Sequence, residues 1–135
     1  IYIGDYYINE SPDSPAQQKM VELSKKYRAE FLANIGAAIR AGVKVAVGSD
    51  FGGYDPLINA REFASLVEAG MTPMQAIQAG TSVAAELLGW EDRVGTIEAG
   101  KLADIVAVSG NPIEDLSELE RVIFVMKGGA VVKAP

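Results

Sequence analysis

The sequence predicts an α/β fold, and three observations carry that expectation. A long amphipathic stripe runs between Ser14 and Gly42, a nearly continuous apolar run follows at Val43–Val47, and short β-type runs separated by turn residues fill the chain after Trp90. An apolar run that does not alternate is the pattern of a strand covered on both faces in a parallel sheet.

Ile1-Tyr2-Ile3 is a short β-rich run broken at Gly4-Asp5. Ser14-Pro15 then opens a helix, with Ser14 as N-cap and Pro15 where a missing N–H costs nothing. Met20, Leu23, Tyr27, Phe31, Ile35, Ala38 and Ile39 recur at spacings of three and four, and Gly42 supplies the stop. Strand, helix and the Val43–Val47 strand make a βαβ unit, whose ligands belong beyond the carboxyl ends of the strands. Tyr6, Tyr7 and Asp50 fall at those ends.

A second helix is expected from about Asn59 to Ala69, stopped by Gly70. Thr72-Pro73-Met74-Gln75 opens a third with a capping box, and Thr81 or Ser82 a fourth, ended by Gly89. Three short helices in series read as the outer ring of an α/β barrel closing up. Beyond Trp90, itself an interdomain packing residue in this reading, β-runs are expected at Gly95–Ile97, Asp104–Val108, Val122–Met126 and Ala130–Val132. Lys127-Gly128-Gly129 resembles a two-glycine hairpin turn. So few strands cannot cover both of their own faces.

Composition narrows the function classes. The 135 residues suit one domain, or one domain with an appendage, and carry a net charge of −6, so no basic face for nucleic acid is expected. No run approaches the roughly 18 to 20 apolar residues of a membrane span, and the start lacks the pattern of a signal peptide. A soluble chain is expected, in cytoplasm or periplasm. Cysteine and histidine are both absent. Acting alone, the chain would have to use carboxylates, hydroxyls or lysines. It opens inside a β-type run without Met, which predicts a piece of a longer polypeptide.

Gly95-Thr96-Ile97-Glu98-Ala99-Gly100-Lys101 matches seven places of a phosphate-binding loop, but the eighth is Leu102 and no helix follows. A turn is expected instead, with Gly100 at positive φ and Lys101 solvated. Asp50 is the residue with chemistry to offer: a carboxylate directly after an apolar strand is costly unless a hydrogen bond or a metal compensates it. Capping the following loop is its bland role; metal ligation or general-base work is the functional one. Asp5, Asp55 and Glu62 offer further oxygens for Mg²⁺ or Ca²⁺, but without regular spacing, and Glu62 and Glu68 read as a solvated helix face. Tyr6, Tyr7 and Tyr54 are of the type that stacks on or hydrogen-bonds a substrate, or merely packs.

Ala41-Gly42-Val43-Lys44-Val45-Ala46-Val47-Gly48-Ser49-Asp50 resembles the last barrel strand of the metal-dependent amidohydrolases. The stretches Asn59–Phe63, Val67–Ile77 and Thr81–Gly89 look like the helices that follow it, and Gly95–Val106 is similar to the return into the family's β-sandwich. With Asp5-Tyr6-Tyr7 after the preceding strand, the likeness is to the imidazolonepropionase-like branch that includes Xaa-Pro dipeptidases. The resemblance implies the C-terminal part of a (βα)8 TIM barrel in residues 1–89 and C-terminal strands of a composite β-sandwich in residues 90–135. It implies hydrolysis of a C–N amide bond in a dipeptide or N-acyl amino acid, with zinc or a similar divalent metal, one or two ions. Asp50 would be both metal ligand and proton carrier between water and leaving nitrogen. Ser49 and Gly52 would shape its loop, and Tyr6 and Tyr54 would touch a peptide-like substrate. The histidines would lie in the roughly 250 or more residues of barrel outside this stretch, judged from the usual size of the fold. The partner is then the remaining N-terminal part of the enzyme, and a homo-oligomer is compatible with it. One departure stands out: close relatives often carry a histidine where this chain has Tyr54-Asp55-Pro56-Leu57-Ile58.

Two other classes remain open at this point. One is a non-catalytic α/β module that binds a partner through a sheet edge. The other is a self-contained Mg²⁺ hydrolase built only from carboxylates.

Overall fold

The computed structural model describes residues 13–49 and 59–135. The expected strand at Ile1–Ile3 and the candidate positions Tyr6, Asp50, Gly52 and Tyr54 lie outside the described residues. What is described mixes helix and strand, as expected.

Helix α1 (Pro15–Arg40) opens on Ser14, whose hydroxyl accepts the Gln17 N–H at 3.3 Å. It ends by a mechanism that only a residue tolerant of left-handed backbone supports. Gly42, at φ 80°, donates to the Ile39 carbonyl, and Val43 donates to that of Ala38. Helix α2 (Arg61–Glu68), preceded by 3-10 residues 59–60, closes with the same pair of bonds. Helix α3 (Pro73–Ala79) carries the expected capping box, Thr72 accepting from Gln75 N and Gln75 accepting from Thr72 N. Helix α4 (Ser82–Leu87) starts at the expected place without a side-chain cap, because the Thr81 hydroxyl donates instead to the Ile77 carbonyl at 2.9 Å.

Leu66, Ala76 and Ala79 form the buried centre, with Ile35, Val45, Val47, Phe63, Val67 and Met71 packed around them. Thus α1, α2, α3 and the 43–49 run share one core. Gly36 lets α1 approach α2, since a Cβ there would stand 2.7 Å from the Ala69 carbonyl oxygen.

Strands β1 (Ile105–Val108), β2 (Val122–Lys127) and β3 (Ala130–Lys133) form an antiparallel sheet in the order β1-β2-β3. Ile105 faces Met126 and Lys127 faces Ala130, which leaves Gly128-Gly129 as a two-residue turn with φ of 54° and 83°. Positive φ at both positions matches the right-handed twist of the flanking strands. A 3-10 helix (Leu116–Glu120) lies between β1 and β2.

Two expected strands differ. Val43–Val47 joins no ladder among the described residues, and Val43 is exposed: an apolar run becomes a strand only where a neighbour pairs with it, and no described segment does. Gly95–Ile97 is not a strand: Gly95 sits at φ 94° tight against α4, where a Cβ would stand 2.7 Å from that of Ala85. The Leu102 N–H, donating to the Arg93 carbonyl, closes this segment into a loop. No helix among the described residues is long and apolar enough to cross a membrane.

Candidate functional site

The run 43–49 is held in place along its length. Its early residues Val43 and Lys44 share a small cleft with Met71 and Gln75, beyond the end of α2. Further on, Val47 donates its N–H to the Ala79 carbonyl at 3.0 Å, and its side chain and the Phe63 ring meet at Gly80. Helix α2 therefore runs antiparallel to the run, and its first turn lies level with the run's carboxyl end. Lys44 pairs with Glu86 and ties the run to α4 as well. Ser49, half-buried, ends the described run, and Asp50 follows it in sequence.

Of the candidate site residues only Ser49 is described, together with Glu62 from the further oxygens considered. Glu62 departs from expectation: it is 6% exposed, on the buried face of α2 with Ser65, Leu66 and Ala69, and is not part of a solvated face. The offsets of three, four and seven from Glu62 to these residues were the signal that could have placed it inside. Glu68 is exposed as expected and holds Arg28 in a two-pronged pair at 2.8 and 2.6 Å. The Arg28 guanidinium keeps the Glu68 carboxyl below its usual range.

The resemblance to a phosphate loop dissolves in three dimensions. Gly100 does take positive φ, but Lys101 is not solvated: its ammonium folds back to donate to Thr96 Oγ1 at 2.5 Å and lies 3.6 Å from Glu98. The loop closes over a cleft of about 460 Å³ between α4 and β1, whose apolar wall includes Leu88, Val94, Leu102 and Val106. Trp90 is 47% exposed among the described residues, with the Arg93 guanidinium 4.6 Å from its ring centre.

A charge network stiffens the 3-10 helix. Asp115 caps Ser117 N at 2.9 Å, Arg121 bridges Asp115 and Glu118, and Ser109, just past β1, donates to Glu118 at 2.7 Å. Arg121 and then Ser109 hold the Glu118 carboxyl below its usual range, while Ser117 does the same for Asp115. From this turn Glu120 reaches Arg61, the first residue of α2, at 3.1 Å. Nothing in the sequence announced that contact across 59 positions.

Among the described residues no three His, Cys, Asp or Glu side chains gather to hold an ion, and the chain has neither His nor Cys.

The sequence pattern of the Amidohydrolase family matches residues 7–132. Ochratoxinase of Aspergillus niger is 37% identical over 102 residues, covering 73% of this chain and 21% of that protein. Imidazolonepropionase of Shouchella clausii (strain KSM-K16) is 36% identical over 106 residues, covering 74% and 24%. Among solved structures, a Xaa-Pro dipeptidase with bound methionine in the active site superposes with a TM-score of 0.82 and 38% identity, over 97% of this chain and 32% of that one. A. niger ochratoxinase superposes with a TM-score of 0.75 and 28% identity, over 98% and 31%. The chain thus spans between about a fifth and a third of the length of these relatives. The family match over residues 7–132, with these likenesses, makes the chain a member of the amidohydrolase family.

Proposed function

We propose that the chain is the C-terminal part of a metal-dependent amidohydrolase that cleaves a C–N amide bond, in a dipeptide or an N-acyl amino acid. In this reading residues 1–89 supply the last βα units of a TIM barrel and residues 90–135 the C-terminal strands of a β-sandwich. The observation that carries it is the anchored run 43–49, whose carboxyl end lies level with the first turn of α2 and leads directly to Asp50. The carboxyl ends of barrel strands are where such folds place their chemistry. The named likenesses to a Xaa-Pro dipeptidase and to ochratoxinase support the amide-cleaving class.

Asp50 is the residue we assign to catalysis: a carboxylate there accepts a proton from the attacking water and returns it to the leaving nitrogen. Ser49 and Gly52 shape its loop, and Tyr6 and Tyr54 contact a peptide-like substrate. Zinc or a similar divalent ion, one or two, would take its imidazole ligands from the N-terminal part of the enzyme, since this chain contains no histidine.

The test uses the parent polypeptide, assayed on Xaa-Pro dipeptides and N-acyl amino acids before and after chelation. Metal-dependent hydrolysis is expected, and Asp50→Asn should abolish it while leaving the unfolding transition intact. Wild-type turnover in Asp50→Asn would remove that residue from the mechanism.

A further inference from the structure

The first turn of α2 sits at the end of the fold where the proposed chemistry belongs, and it carries an arrangement that needs explaining. Arg61 occupies the first helical position, where a cation faces the positive end of the helix dipole. The next residue, Glu62, is a buried carboxylate. Glu62 suits the positive end of the helix, whereas Arg61 does not and gains from an acidic neighbour.

The 3-10 helix 116–120 packs against α2, and Glu120 accepts from Arg61 Nε at 3.1 Å. Glu120 is itself presented by a stiff support: Asp115 and Glu118 grip Arg121, and Glu118 is tied to Ser109 at the end of β1. We propose that Glu120 is a positioning residue, through which the β region fixes the first turn of α2 and with it the carboxyl end of the 43–49 run. The connection runs from Ser109, just past β1, by a hydrogen bond to Glu118, along the 3-10 helix to Glu120, and by an ion pair to Arg61. Its weight for catalysis rests on the hydrolase reading above; the contact itself does not.

Side chains about half and one third exposed make the pair modest. The amides of Ser65 and Leu66 report on it, because their helical acceptors are the carbonyls of Arg61 and Glu62. Hydrogen exchange of the parent polypeptide should show these two amides exchanging about two- to fivefold faster in Glu120→Gln, with α1 and β1–β3 unchanged. Glu120→Asp should recover part of the protection, and Glu120→Gln should add nothing in an Arg61→Gln background. No local change, a uniform change across the chain, or an undiminished effect in the Arg61→Gln background would each overturn the proposal. In the parent polypeptide Glu120→Gln should lower kcat by a similar factor without moving KM. Hydrolysis with unchanged kcat would refute the positioning role; a loosened turn in a parent that hydrolyses no amide would refute the hydrolase reading and leave the brace standing.

Discussion

At Gly36 two local forces oppose each other. Alanine there gains up to about 1 kcal/mol of helix propensity, but its Cβ would meet the Ala69 carbonyl at 2.7 Å, and overpacking against backbone costs about 1–3 kcal/mol. Gly36→Ala is therefore expected to be net destabilising, by about 1 kcal/mol, read as a lower urea midpoint. Asp104 offers a second single-residue test. Its carboxylate accepts the Gly128 N–H at 2.6 Å and pairs with Lys127 at 3.2 Å, and these partners, Gly128 first, hold it below its usual range. A carboxyl depressed in the folded state stabilises above its unfolded pKa of about 3.9 and loses that contribution as pH falls through the lower folded value. Asp104→Asn should thus melt below wild type near pH 6, with the gap closing as the solution is acidified below about pH 4. A gap independent of pH would mean that the carboxylate charge plays no part.

Among the elements, the helix ends are the most exposed to single changes. Three helices finish with paired carbonyl-capping bonds around a positive-φ glycine, at Gly42, Gly70 and Gly89. At Gly42 nothing lies within 4 Å of an added Cβ, so a substitution there reports backbone strain alone. Gly42→Ala should cost about 1 kcal/mol, and Gly42→Asn less, because asparagine tolerates left-handed backbone better. Equal losses for both, by denaturant unfolding, would point to something other than φ.

On the scale of the whole molecule, the apolar surface is poorly covered. The buried hydrophobics among the described residues are one leucine and four alanines, whereas Met20, Leu23, Tyr27 and Phe31 stand exposed along one face of α1. On β1 and β3, Val106, Val131 and Val132 are exposed too. Such surfaces mark interfaces or association liabilities. The purified 135-residue chain should bind a hydrophobic dye, self-associate on size exclusion and show no zinc-dependent turnover. Co-production with the N-terminal part of the parent should suppress the first two. A dye-silent monomer would argue against a missing companion.

Local rules made much of this fold legible in the sequence. Ser14-Pro15, the Thr72–Gln75 box, the stop at Gly42 and the Gly128-Gly129 turn each depend on a few adjacent residues, and each took its expected form. The family, too, was legible, because its motifs are contiguous. What the chain could not announce was decided by approach between distant segments. Gly95–Ile97 has the composition of a strand but lies where α4 leaves no room for one, and Lys101 looked solvated until its loop folded it onto Thr96. By charge Glu62 belongs in solvent, but the packing of α2 on the 43–49 run turns that face inward. The Glu120–Arg61 pair exists only because the 3-10 helix comes to rest beside α2. Sequence settles conformations whose energy is local; burial and long-range charge pairing wait for the segments to meet.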